Sequence, residues 1–154
     1  KAIVVDTVEE LAGLSDDRIA TAAEAAAARD LEGKYVLTLT NSSGQAVLAS
    51  LENRDLRERI HRASVSRGNS GGEYDNREIL SRIAIVRAER AVLLGFENHA
   101  AFRLSDQTAQ TTEAVNERLG TLAPAAVKNA QREAADLQAM IDAEGGDFEL
   151  APWD

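Results

Sequence analysis

The chain has 154 residues, with 26 Asp plus Glu against 17 Lys plus Arg, two His and no Cys. The length fits one ordinary domain, and the lack of Cys removes disulfides, thiolate zinc sites, iron–sulfur clusters and a cysteine nucleophile. A net charge of −9 argues against nucleic-acid binding, which needs a basic face to release counterions.

Apolar residues make up 44% of the chain but aromatics only 4%, and 28 residues are Ala. Alanine is the best helix former because it loses no side-chain entropy. The composition predicts a mainly helical protein whose helices pack on small side chains. No apolar run approaches the roughly 20 residues that span a bilayer. The apolar start Ile3-Val4-Val5 is stopped by Asp6, too soon for a signal peptide. The missing initiator Met suggests a piece of a longer chain.

In chain order, Ser15 followed by Asp16 and Asp17 predicts a helix start, running to about Arg29 or Asp30, with Gly33 taking the left-handed turn that ends it. Residues 35–40 (Tyr-Val-Leu-Thr-Leu-Thr) are rich in β-formers. The turn cluster Asn41-Ser42-Ser43-Gly44 follows. Ala46-Val47-Leu48-Ala49 either returns as a second strand or starts a helix, and a short hairpin is favoured. Asn53 predicts the N-cap of a helix over 54–67, with Leu56, Ile60 and Ala63 as its apolar stripe. The glycine-rich stretch 68–72 breaks the chain.

A long helix is predicted over 76–94, with Ile79, Ile83, Val86 and Leu93 on one face and Gly95 at its end. A short helix follows from Asn98 to about Ser105. Thr111 caps another, reaching about Leu122, and Pro124 either kinks it or starts a new one. The last helix carries Val127, Ala130, Ala134, Leu137 and Ile141, spaced as a narrow seam of coiled-coil type, and Gly145-Gly146 ends it. Burial of this seam, and of Ile79, Ile83 and Val86, against other helices is expected; an exposed apolar face there would instead mark a surface that the rest of a longer protein covers. Neither an internal repeat nor an interdomain linker is visible.

The residues show little chemistry of their own. His61 and His99 stand far apart, and neither sits in H-E-x-x-H. Glu58 and His61 make a single E-x-x-H unit, but Phe96 stands three before His99, so the second unit that a di-iron bundle needs is missing. There is no G-x-S-x-G elbow, and no Lys-Ser or Lys-Thr follows the glycine cluster. Arg54, Arg57, Arg59, Arg62 and Arg67 give one helix a dense positive charge. They are read either as a site for an anion or an acidic partner or, preferably, as solvated arginines partly paired with Asp55, Glu58 and neighbouring acidic helices. No catalytic, cofactor-binding or metal-ligating residue is assigned.

Several stretches nevertheless resemble the thimet-oligopeptidase family of zinc metallopeptidases, and especially its bacterial peptidyl-dipeptidases. They are residues 11–15, 31–36, 53–58, 87–102 (Arg-Ala-Glu-Arg-Ala-Val-Leu-Leu-Gly-Phe-Glu-Asn-His-Ala-Ala-Phe), 106–109 with Thr111 and 113–115, 134–139, and Pro152-Trp153-Asp154. They keep the family's order and spacing over nearly the whole chain. Two positions depart from its pattern: the Pro usual near Ala46 is absent, and His99 stands where relatives often carry Tyr.

The resemblance implies that residues 1–154 are one helical segment, with a short hairpin-like element, from the N-terminal half of a larger clam-shell peptidase. Such enzymes carry zinc on an H-E-x-x-H motif with a further Glu, lying C-terminal to this segment. The motif's Glu activates the metal-bound water. The partners implied are the rest of the same peptidase and short peptide substrates, with neither nucleic acid nor membrane, in the cytoplasm. The chain alone is expected to be inactive. The alternative is a free-standing acidic helical module that holds partner helices in an apolar groove.

Overall fold

A computed structural model describes residues 2–39 and 43–154, without the side chains of 43–45. The chain divides into two compact units, residues 1–75 with 151–154, and residues 76–150.

In the first unit, strand β1 (Ala2–Val5) pairs antiparallel with β2 (Tyr35–Thr38), Ala2 opposite Thr38 and Val5 opposite Tyr35. The expected hairpin is therefore corrected. The partner of 35–38 is the N-terminal β-branched run, and residues 46–48 lie in helix α2 (Ser43–Leu48). The helix turns Val47 into the core. Asn41 and Ser42 of the expected turn lie outside the described residues.

Helix α1 spans Asp16–Ala27. The Ser15 carbonyl accepts from the Arg18 and Ile19 amides, as an N-cap carbonyl does. The residue that turns left-handed at its C-terminal end is Asp30 (φ 57°), not Gly33, and the Leu31 amide closes back onto the Ala26 carbonyl at 3.1 Å. A short acidic side chain tolerates this conformation. Gly33 lies in the next turn. Helix α3 (Arg54–Val65) is capped by Asn53, whose Oδ1 accepts from the Leu56 amide at 3.0 Å. Leu56 and Ile60 of its expected stripe are fully buried and Ala63 packs at the edge. They join Val5, Leu11, Leu37, Leu39 and Leu51 in a single core, fed by both strands, the short 3-10 turn Glu9–Leu11 and the helices.

The second unit holds α4 (Arg77–Leu93), α5 (His99–Leu104) and α6 (Thr112–Ala143). Asn98 caps α5 through the Ala101 amide, and Thr111 caps α6 through that of Ala114. α4 and α6 both end in a left-handed glycine, Gly95 and Gly145. The residue after each closes back onto the helix, Phe96 onto Ala91 and Gly146 onto Ile141, both at 2.9 Å. α6 is one helix of 32 residues with Pro124 inside it, so of the two alternatives Pro124 does not start a new helix. Proline removes one backbone bond, and the alanines around it favour the helix on either side.

The expected burial of the apolar faces in this unit does not occur. Ala91 is its single buried residue among those described. Ile79, Ile83, Val86 and Leu93 on α4 are exposed, Leu93 by 86%, as are Val127 and Leu137 on α6. Leu80, Ile85 and Val92 add further exposed apolar surface to other sides of α4. α5, six residues long, packs on α4 but is too short to cover a helix of 17, and the longer α6 packs on α5 rather than along α4. Gln138 on α6 ties down residues 148–150, donating to the Phe148 carbonyl and accepting from the Leu150 amide.

Candidate functional site

The densest arrangement of polar chemistry is on α3. Helical spacing puts residues 54, 57 and 61 on neighbouring positions, and all three meet the segment 151–154. The Arg54 guanidinium makes a bidentate pair with Asp154, Nε to Oδ1 and NH2 to Oδ2, both at 2.9 Å. Arg57 uses four of its donors. Nε donates to the Trp153 carbonyl at 2.8 Å, NH1 to the carbonyls of Leu51 and Glu52 at 2.9 Å each, and NH2 to Asp154 Oδ1 at 3.1 Å. The Asp154 side chain keeps 8% of its exposure. Burial pushes its carboxyl up, but the hydrogen bonds from Arg54, the Ala151 amide and Arg57 together hold it below the usual carboxylate range.

Trp153 completes the cluster. Its ring lies 5.1 Å from the Arg62 guanidinium carbon and 5.7 Å from that of Arg54, within cation–π reach, and 5.7 Å from the His61 ring. Its indole N–H is buried with no acceptor among the described residues. Arg62 pairs with Glu58 at 2.6 Å, as the sequence suggested. Arg59 and Arg67 stay exposed, and Arg59 pairs with Glu10 at 3.6 Å. Arg59 donates to the Val4 carbonyl and Arg67 to that of Leu39, so α3 uses its positive charge to bind backbone. Neither Trp153 nor Asp154 was singled out for this role. The local signal was the excess of arginine on α3.

The other candidates stay apart. Glu58 is paired with Arg62, and His61 lies against the Trp153 indole. Among the described residues no three His, Asp or Glu side chains gather as a metal site. In the second unit, His99 sits by Phe102, which Arg90 covers at 4.9 Å. Burial, with Arg87, Arg90 and Arg103 nearby, pushes the His99 imidazole below its ordinary value, and its Nδ1 has no partner among the described residues. A groove of about 370 Å³ in the first unit runs between α1, β2 and α2 and is lined by Arg18, Thr21, Val36, Leu37 and Val47. Its lining residues offer no acid–base pair. The α3 side chains hold and orient the segment 151–154.

Comparison with known proteins gives the context. The sequence profile of peptidase family M3 matches residues 47–154. The chain is 39% identical over 152 residues to dipeptidyl carboxypeptidase of Escherichia coli K12, covering 99% of this chain and 22% of that protein. It is also 39% identical over 149 residues to oligopeptidase A of the same organism, covering 94% and 22%. A probable cytosolic oligopeptidase A of Arabidopsis thaliana is 32% identical over 143 residues, covering 89% and 20%. The chain thus spans about a fifth of the length of these curated relatives. No described helix is long and apolar enough to cross a membrane. With a profile match over more than half its residues and relatives aligned along nearly all of it, the chain belongs to peptidase family M3.

Proposed function

We propose that the chain is a segment from the N-terminal half of a zinc-dependent peptidyl-dipeptidase, which releases dipeptides from the C-termini of short peptides. The observation that carries this reading is the 39% identity to a dipeptidyl carboxypeptidase over 99% of the chain. The exposed apolar surface of α4 and α6 supports it. A helix apolar on several sides belongs inside a larger protein, and the rest of the same polypeptide is the natural cover. The segment's role is structural, as part of the wall of the channel that admits short, unfolded peptides. In this reading the zinc sits on an H-E-x-x-H motif outside this segment, as the family resemblance implies. The cytoplasm is the location this reading proposes.

The test uses the full-length polypeptide that carries this segment and a short peptide blocked at its N-terminus. Release of C-terminal dipeptides, abolished by a chelator and restored by zinc, is the expected result. Internal cleavage without dipeptide release would place the protein with the oligopeptidase A group instead, and chelator-resistant activity would rule out zinc. The 154-residue chain by itself is expected to cleave nothing.

A further inference from the structure

We propose that Arg57 is a positioning residue which, together with Arg54, fixes the point at which the chain returns to the first unit after residues 76–150. The first unit is discontinuous: it runs to Asp75 and resumes at Ala151. Among the described residues, no backbone–backbone hydrogen bond joins 151–154 to residues 2–75; the Asp154 amide bonds inside the segment, to the Ala151 carbonyl at 2.9 Å. The Ala151 amide in turn donates to Asp154 Oδ2 at 3.0 Å, making a closed turn with the carboxylate at its centre. α3 side chains supply the polar attachment of that turn.

Arg57 is the bridge because it holds both sides of the junction at once. One edge of its planar fork takes the Leu51 and Glu52 carbonyls just before α3, and the rest takes the Trp153 carbonyl and the Asp154 carboxylate. A lysine is a compact charge on a flexible stem and cannot reproduce four donors in fixed directions. Arg54 adds a two-point grip on the carboxylate. The pair therefore sets both the position and the orientation of the returning chain, from contacts within one unit.

Hydrogen exchange on the full-length polypeptide tests this. In Arg57→Lys, exchange at the Ala151 and Asp154 amides is expected to rise at least ten-fold, while the amides of 58–65 in α3 keep their protection. Arg54→Gln is expected to raise the same two amides by a smaller factor. If Arg57→Lys deprotects residues 51–53 but leaves 151–154 unchanged, Arg57 has only a local role and the proposal is overturned. If Arg57→Lys disorders α3 itself, Asp154→Asn decides, since it leaves the Leu51 and Glu52 bonds intact. A ten-fold rise confined to 151–154 supports the proposal, and unchanged exchange overturns it.

Discussion

Gly13 and Ser50 approach so closely that a Cβ on Gly13 would lie 2.0 Å from the Ser50 carbonyl oxygen. Gly13 is also left-handed, with φ 90°, and the neighbouring Ala12 carbonyl accepts from the Glu52 amide at 2.9 Å. Two loops thus pass backbone to backbone at the edge of the first unit's core, and neither can retreat without breaking that bond. Gly13→Ala adds a clash to a conformation that itself costs a non-glycine residue on the order of 1–3 kcal/mol. A loss of about 3 kcal/mol or more is expected, read as a fall in the urea midpoint with unchanged slope. A loss below about 1 kcal/mol would show that the loops can separate.

The helix caps separate two serviceable N-cap residues by their bonds. Asn53 accepts from the Leu56 amide, whereas the Ser15 side chain makes no capping bond. Replacing a bonded cap by Ala costs about 1 kcal/mol. Asn53→Ala is expected to lose about that much, and Ser15→Ala only a few tenths. Equal losses in a denaturation series would contradict the assignment of the capping bonds.

Both units were legible where a signal is local. Asn53 before a spaced Leu56–Ile60 stripe, Thr111 and Asn98 before helices, and glycine after α4 and α6 all read correctly, because a cap acts within one turn. Strand pairing did not, since the partner of residues 35–38 lies some 30 residues earlier and Ala46-Val47-Leu48 suits either strand or helix. The burial of α4 and α6 was misjudged for another reason. Periodicity shows which side chains seek cover, but not whether the cover lies within the same 154 residues. The α3 cluster was half visible: the arginines stood out, but their partners in 151–154 could be found only once the chain was folded.

The carboxylate of Asp154 gives the clamp a pH signature. Its folded value lies below the ordinary one of about 3.9. A group depressed in this way contributes stability above its unfolded value and loses that contribution as pH falls through the folded value. Docking of 151–154 is therefore expected to hold at neutral pH and to weaken only below about pH 4. Trp153 is the sole tryptophan of the 154 residues, so the intrinsic fluorescence of this chain reports on it directly. The expected result is an acid-induced red shift that Asp154→Asn already shows in part at pH 7 and that no longer titrates there. A wild-type emission maximum constant down to pH 2, with the fold retained, would mean the carboxylate does not hold the segment.

The exposed face of α4 gives the sharpest contrast between this segment and a longer protein. Ile60 is fully buried here, whereas Ile83 is 39% exposed. Ile→Ala in a packed core costs about 2–5 kcal/mol, since the lost transfer energy is joined by a cavity. At a surface site away from such packing, the change is usually within about 0.5 kcal/mol. In the 154-residue chain, Ile60→Ala is expected to show the core cost and Ile83→Ala close to none. In the full-length polypeptide, Ile83→Ala should rise into the core range, because the remaining helices then cover the face, while Ile60→Ala stays where it was. Chemical denaturation of four proteins, two variants in two lengths, measures the difference. If Ile83→Ala remains silent at full length, that face is open in the whole enzyme, and the apolar surface of α4 serves something other than internal packing.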